Sequence, residues 1–404
     1  MLSFTLAGFL LLQAAGAEPP AAAGMRALQG QRWAEAVDLF SRAAAAEPKD
    51  YGHHFHLAFA QSMLNRDAEA IAAYRKVLEL KPGLYEAQVN LGIVLLTSGK
   101  PAEAADLLVA AANSRPKEFR PVYHAGEALL ASGRASQAIP LFESALAIDP
   151  KAAGAILGLA RALAREKRVD EASARFREAG ESNPEALLEL ALLFEHSGKR
   201  DEAIEIYRKF PDNAAARERL GQLLLEGGKA SDAVEHLESA VKDAPTTANR
   251  YALAMAYMSA ARYSDAENLF KQLVADEPAN VQMRANYARS LRQQKKIPQA
   301  AAEFLKVTEA RPDSAEAWSD VAGMLMLLEN YQGALAALDK VRALQAETPA
   351  HFYLRALILD RHKVYEQALD SYEKFLAGSQ GKSPDEEFKA RQRVRIIRKE
   401  LSRR

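Results

Sequence analysis

The stretch from Tyr85 to Pro116 sets the pattern of the chain. Val89, Leu91, Gly92 and Leu95 recur at the spacing of one helix face, and "TSGK" (97–100) then interrupts the run. A second helical face follows from about Ala102, with Ala104, Leu107, Leu108 and Ala111 on one side. Gly99 suits the left-handed position after a helix C-terminus. Pro116 ends the second helix, because its ring cannot continue the backbone and restrains the residue before it. The spacing predicts two helices joined by a tight turn.

The same phrase returns at a fixed interval. Ala36, Ala70, Ala104, Ala138 and Ala172 each stand four residues before Phe40, Tyr74, Leu108, Phe142 and Phe176, and successive alanines are 34 residues apart. Ala203, Ala233, Ala266, Ala300, Ala334 and Ala368 extend the series to eleven copies. A proline follows most of these alanines by twelve residues, at Pro48, Pro82, Pro116, Pro150, Pro184, Pro245, Pro278 and Pro312. Small residues recur in the first helices as well (Ala58, Gly92, Gly126, Ala160, Ala191), where paired helices must approach closely. A fixed period of this length is the signature of a stacked array.

The Leu-Gly or Leu-Ala pairs (Leu57-Ala58, Leu91-Gly92, Leu220-Gly221), the acidic-Ala pairs (Glu69-Ala70, Glu202-Ala203), the aromatic and the closing proline together resemble the tetratricopeptide repeat. The match covers residues 18 to about 376. The resemblance implies an all-α fold: a right-handed superhelical solenoid of about eleven helix-turn-helix repeats. First helices would line an inner groove and second helices would lie outside. Stability would come from neighbours stacking, since no single repeat can bury its own apolar face.

Composition narrows the picture. Of 404 residues, 49% are hydrophobic and 26% charged, which suits a folded chain. Acids and bases balance at 53 each, which argues against general affinity for nucleic acid. With no cysteine, disulfides, thiolate metal sites and a cysteine nucleophile are excluded. Leu2 to Leu12 form an uncharged apolar run too short to span a bilayer, followed by Ala15-Gly16-Ala17, a small-x-small cleavage site. Residues 1–17 are therefore expected to be an export signal, although no basic residue precedes the apolar run, with the mature chain periplasmic or secreted.

Two places break the rhythm. Pro184 to Ala203 and Ala203 to Pro211 are shorter than the regular spacings by 3 and 4 residues, about one turn of each helix near 185–213. Drift in a tolerant array and a built-in bend both fit that loss. After the array, residues 377–383 read as a linker and 384–404 as a basic capping helix with eight Lys or Arg against four acids. Ser383, Pro384 and Glu386 suit a helix start with a capping box. Phe388, Val394, Ile397 and Leu401 are expected to cover the last repeat. A solvated outer face is the simpler reading of its charge, with weak contact to an anionic membrane surface, or an acidic partner, the alternative.

Motifs for catalysis are absent: there is no phosphate-cradling glycine loop, HExxH or nucleophile elbow. "HHFH" (His53, His54, His56) suggests a metal, but no carboxylate lies in phase with it in the sequence and His54 occupies a large packing position. No metal, cofactor or small-molecule substrate is expected. Lys and Asn of the carboxylate clamp found in some tetratricopeptide domains are also missing, since the matching positions hold Phe55, Phe59 and Asn90, and Glu218, Gln222 and Ala252.

The first-helix positions that the resemblance turns inward are more telling. One column holds Phe55, Val89, Tyr123 and Leu157, and a second Phe59, Ile93, Glu127 and Arg161. Tyr251, Met255 and Met258 continue the apolar theme, followed by Arg289 and Arg292. Phe55, Phe59, Val89, Ile93 and Tyr123, bordered by Glu127 and Arg161, are expected to form a groove for a protein or peptide partner. The function implied is a non-catalytic interaction scaffold. The alternatives are a membrane- or polysaccharide-associated assembly factor and a subunit of an enzyme complex.

Overall fold

A computed structural model describes residues 18–403, and the expected export signal at 1–17 lies outside them. Among the described residues there are 23 helices and no strand. The chain divides into two compact units, one running to Ala203 and the other from Ile204 onward.

In the first unit the pairs are α1 (Pro20–Gln29) with α2 (Trp33–Ala46), α3 (Tyr51–Met63) with α4 (Asp67–Leu80), and α5 (Tyr85–Thr97) with α6 (Pro101–Ser114). Then come α7 (Phe119–Ala131) with α8 (Ala135–Ile148) and α9 (Ala153–Arg165) with α10 (Val169–Ser182). The shortened copy is α11 (Ala186–His196) with α12 (Arg200–Tyr207), and the division between units falls inside α12. The second unit continues with α13 (Ala214–Glu226), α14 (Ala230–Asp243), α15 (Thr247–Ser259) and α16 (Tyr263–Asp276). It goes on through α17 (Val281–Gln293), α18 (Ile297–Ala310), α19 (Ala315–Leu327) and α20 (Tyr331–Ala343). It ends with α21 (Pro349–Arg361), α22 (Tyr365–Ser379) and the terminal α23 (Pro384–Leu401).

The period is written in the core. All eleven alanines of the series are 0% exposed, so no larger side chain fits there without displacing a neighbour. The aromatic or leucine four residues on is buried in every copy, including Tyr207 in the shortened one. Each ring needs a notch in the adjoining first helices. Phe142 sits between Gly126 of α7 and Gly158 of α9, where an added Cβ would approach its ring to 2.9 and 2.5 Å. Within the first unit α3 touches α5, α5 touches α7 and α7 touches α9, so first helices crowd one another on the side away from the second helices.

Turns show a rule that glycine only partly reveals. The residue joining first to second helix is left-handed in all eleven described copies, yet only Gly99, Gly133, Gly198 and Gly228 are glycines. Gln31, Asn65, Lys167, Ala261, Lys295, Glu329 and Lys363 adopt the same positive φ. Between repeats a different device recurs. His54, Arg217, Arg284 and Trp318 each donate a side-chain N–H to the carbonyl of the proline six residues earlier. His54 therefore holds a turn, as well as filling its packing position.

The helix boundaries depart from the sequence reading at three places. The second helix of the shortened copy has 8 residues where regular copies have 14, a loss larger than the one turn expected. Pro211 disfavours helix at Phe210, and Lys209 and Phe210 instead close tight turns onto Ile206 and Tyr207. The helix α22 runs on to Ser379, leaving only residues 380–383 between it and α23. At the start of α23 neither Ser383 nor Glu386 makes the expected cap. Glu387, buried at 3% exposure, turns back instead to accept from the Gly381 N–H at 2.6 Å and from the Ser379 hydroxyl.

Candidate functional site

The expected groove residues all lie on first helices of the first unit, but the structure sorts them into three settings. Phe55 and Phe59 of α3 are half-buried. Phe59 meets the Trp33 ring edge-on with centroids 6.0 Å apart, and Phe55 meets Tyr74 in the same way at 5.8 Å. Ile93 of α5 is half-buried as well. Val89 is 4% exposed and is packed inside, so it drops out of any accessible face. Its short branched side chain stays below the level at which longer neighbours in the column reach solvent.

The next helix carries a polar cluster. Tyr123 of α7 stacks on Phe119 with centroids 5.4 Å apart and donates its hydroxyl to Glu127 at 2.7 Å. Glu127 also meets His124 Nδ1 at 2.8 Å. Burial pushes the Glu127 carboxyl up, but the hydrogen bonds from His124 and Tyr123 outweigh it and hold the group below the ordinary range. Burial and the facing Glu127 raise the Tyr123 phenol. Gly154 of α9 leaves room for that phenol, since a Cβ there would lie 2.6 Å from its oxygen.

Arg161 of α9 does not turn to Glu127. Its Nε and Nη2 donate to both carboxylate oxygens of Glu189 on α11, at 2.8 and 2.6 Å. That pair lines a cavity of about 870 Å³ together with other residues of α9, α10 and α11 and Leu130 of α7. Across this cavity α9 and α11 are joined by the Arg161–Glu189 pair. Phe176, 2% exposed, and Leu192 and Leu193 give it an apolar lining. This cavity escaped the sequence reading. The signal was the step of 31 between Ala160 and Ala191, which carries the Arg161 column on to Leu192.

Two sequence models described as tetratricopeptide repeat match this chain, one over residues 21–85, 89–153 and 325–385, the other over 129–193, 195–256 and 257–323. The chain belongs to the tetratricopeptide repeat family. No curated protein matches it. Among solved structures, MamA (41-end) from Desulfovibrio magneticus RS-1 is 23% identical with a TM-score of 0.38, over 40% of this chain and 92% of that one. MamA of MSR-1 is 23% identical at a TM-score of 0.38, over 40% and 93%. YrrB, described as a TPR protein with an unusual peptide-binding site, is 24% identical at a TM-score of 0.39, over 44% and 95%.

Elsewhere in this tetratricopeptide array, two constellations hint at chemistry. The three histidines of "HHFH" point to different partners: His54 to the Pro48 carbonyl, His56 against the Phe40 ring, and His53 toward Glu47 and Asp50. Carboxylates thus do approach His53, at 3.4 and 3.7 Å, because the turn before α3 folds them back. That corrects the sequence reading that none is in phase. Both are exposed, and the other oxygen of Asp50 caps α3 through the Gly52 N–H. Ser319 Oγ lies 2.7 Å from His351 Nε2, the separation of a nucleophile and its base. Nδ1 of that ring, however, accepts the Thr348 N–H at 2.9 Å. The neutral ring therefore carries its proton on Nε2 and donates it to Ser319, the wrong direction for a general base.

The terminal helix is tied down rather than free. Arg393 donates to both oxygens of Asp360 at 2.6 Å, Arg398 pairs with Glu373, and Arg391 with Glu387. Val394 and Ile397 face inward as expected, but Phe388 is 63% exposed. The inward stripe runs through Glu387 and Ala390, which leaves Phe388 one position off it. Among the described residues no helix is long and apolar enough to cross a membrane.

Proposed function

We propose that this protein is a non-catalytic scaffold that binds a segment of a partner protein along the first-helix face of its second to fifth repeats. Tetratricopeptide proteins are in general interaction scaffolds without chemistry of their own, and the family membership supports that class. One observation carries the location: Phe55, Phe59 and Ile93 are only half-covered on helices that touch one another, and Glu127 and Arg161 follow them. An apolar strip passing into a polar margin is the anatomy of a recognition surface.

Panning displayed random peptides against the full chain tests this. Peptides so recovered lose affinity about tenfold or more with Ile93→Glu, while Asp106→Lys on the opposite face of the repeat leaves binding unchanged. Equal binding by both variants overturns the reading. The apolar run at Leu2–Leu12 and the Ala15-Gly16-Ala17 site support an exported scaffold. Terminal sequencing of the folded protein then begins at Glu18, and an intact Met1 or Leu2 rejects export.

A further inference from the structure

We propose that the cavity between α9 and α11 seats the apolar side chains of an acidic peptide segment, with Arg165 and Lys167 engaging its carboxylates. The inference rests on the scaffold reading above and adds to it an anchoring pocket and the charge of the ligand.

Size comes first. About 870 Å³ falls within the ~300–1,000 Å³ typical of ligand pockets and exceeds what one side chain fills. Phe176, Leu192 and Leu193 make the interior apolar, and Leu192 is 37% exposed for want of anything to cover it.

Charge decides the rest. Three cations, Arg161, Arg165 and Lys167, line the cavity against a single carboxylate, Glu189. Arg161 neutralises that carboxylate through two hydrogen bonds. Arg165 gives one Nη1–H to the Leu130 carbonyl and has no carboxylate partner among the described residues. Lys167, exposed in its left-handed turn, has none either. An apolar hollow with two unmatched cations at its rim is complementary to apolar anchors flanked by Asp or Glu, and repels a basic segment. Continuity favours a peptide over a small amphiphile. Arg161 belongs both to the pocket and to the column that begins at Phe59, so a chain lying on that face runs into the cavity.

The test uses the full chain and three probes: a labelled peptide of about fourteen residues with leucines at helical spacing among glutamates, its lysine counterpart, and dodecanoate. The glutamate peptide binds, and its affinity falls about tenfold or more in Arg165→Gln/Lys167→Glu and in Leu192→Asp. If Leu192→Asp does not fold by circular dichroism, the charge variant, altered only at exposed side chains, carries the test. Equal binding of the lysine peptide, or binding of dodecanoate without either peptide, overturns the proposal. Full binding in the pocket variants with loss in Ile93→Glu removes the pocket and keeps the scaffold reading. The reverse pattern keeps the pocket and removes the groove.

Discussion

The first-helix face of α3 and α5 and that of α15, α17 and α19 occupy equivalent places in the repeat but are held by different chemistry. Both keep an edge-to-face ring pair against the second helix, Phe55 on Tyr74 in the former and Tyr251 on Phe270 in the latter, and the former adds Phe59 on Trp33. In the latter, a polar chain runs across three helices. Asn286, 5% exposed, donates to the Tyr251 hydroxyl at 2.9 Å and accepts from Arg289 at 3.0 Å. Arg289 pairs on with Glu316, and Arg292 reaches Asp320 at 2.7 Å. Arg289 and Arg292, which read in the sequence as groove cations, are thus already matched. The backbone repeats because the alanine and ring of the second helix repeat, so the opposite face is free to be apolar in one region and ionic in another.

The largest effect tests the shared base. Tyr74→Ala and Phe270→Ala remove rings that are both 0% exposed, and each should cost about 3–5 kcal/mol, read by hydrogen exchange within its own repeat. A markedly smaller loss in either region would mean that the two do not stand on the same core. Next is Asn286→Ala, expected to cost about 1–3 kcal/mol because it strips partners from Tyr251 and Arg289 together. Local exchange in α17 reports it, and no change would mean that the polar chain is decoration. Phe59→Ala should cost less, about 1–2 kcal/mol, since the ring is only half-buried. Its effect should be indifferent to added salt, whereas that of Arg292→Gln, which breaks the partly exposed pair with Asp320, should not. A salt-sensitive Phe59→Ala would collapse the contrast.

The smallest effect is one of pH. Burial lowers the pKa of His351 below its ordinary 6.5. The unfolded chain therefore takes up the proton first as pH falls, and stability is lost progressively from about pH 6.5 downward. His351→Gln keeps an acceptor for the Thr348 N–H without titrating, so its unfolding midpoint should fall less between pH 7 and 5. His56, also lowered by burial and by His53, contributes a slope of the same sign that His351→Gln leaves in place. An unchanged slope in His351→Gln would place all the proton uptake elsewhere.

How much of this was legible depended on the kind of information a period carries. The repeat located the eleven alanines of the series and the ring or leucine four residues after each, because those positions are fixed by helix-on-helix packing in each copy. It located Val89 in the same column as Phe55 without telling that a short branched side chain there would be covered. Contacts made by loops were hidden for another reason. Glu47 and Asp50 reach His53, and Glu387 rather than Glu386 closes the last turn, only after the chain reverses direction. Helical phase says nothing about residues outside the helix. The cavity at Phe176 was recorded in the spacing as a missing turn, but a shortened spacing is not a motif and has no residue signature.

The left-handed turn residues have a consequence for how such a chain adjusts its own durability. A side chain at positive φ costs roughly 1–2 kcal/mol that glycine avoids, partly offset by the greater freedom of glycine when unfolded. Seven of the eleven turns carry that cost, at positions such as Ala261 and Lys295 that belong to neither helix face. Each is a dial on the local opening of one repeat, set outside the face proposed for recognition. Lys167 is the exception, since it stands at the rim of the cavity: there a gain in rigidity would come at the expense of what the protein can hold.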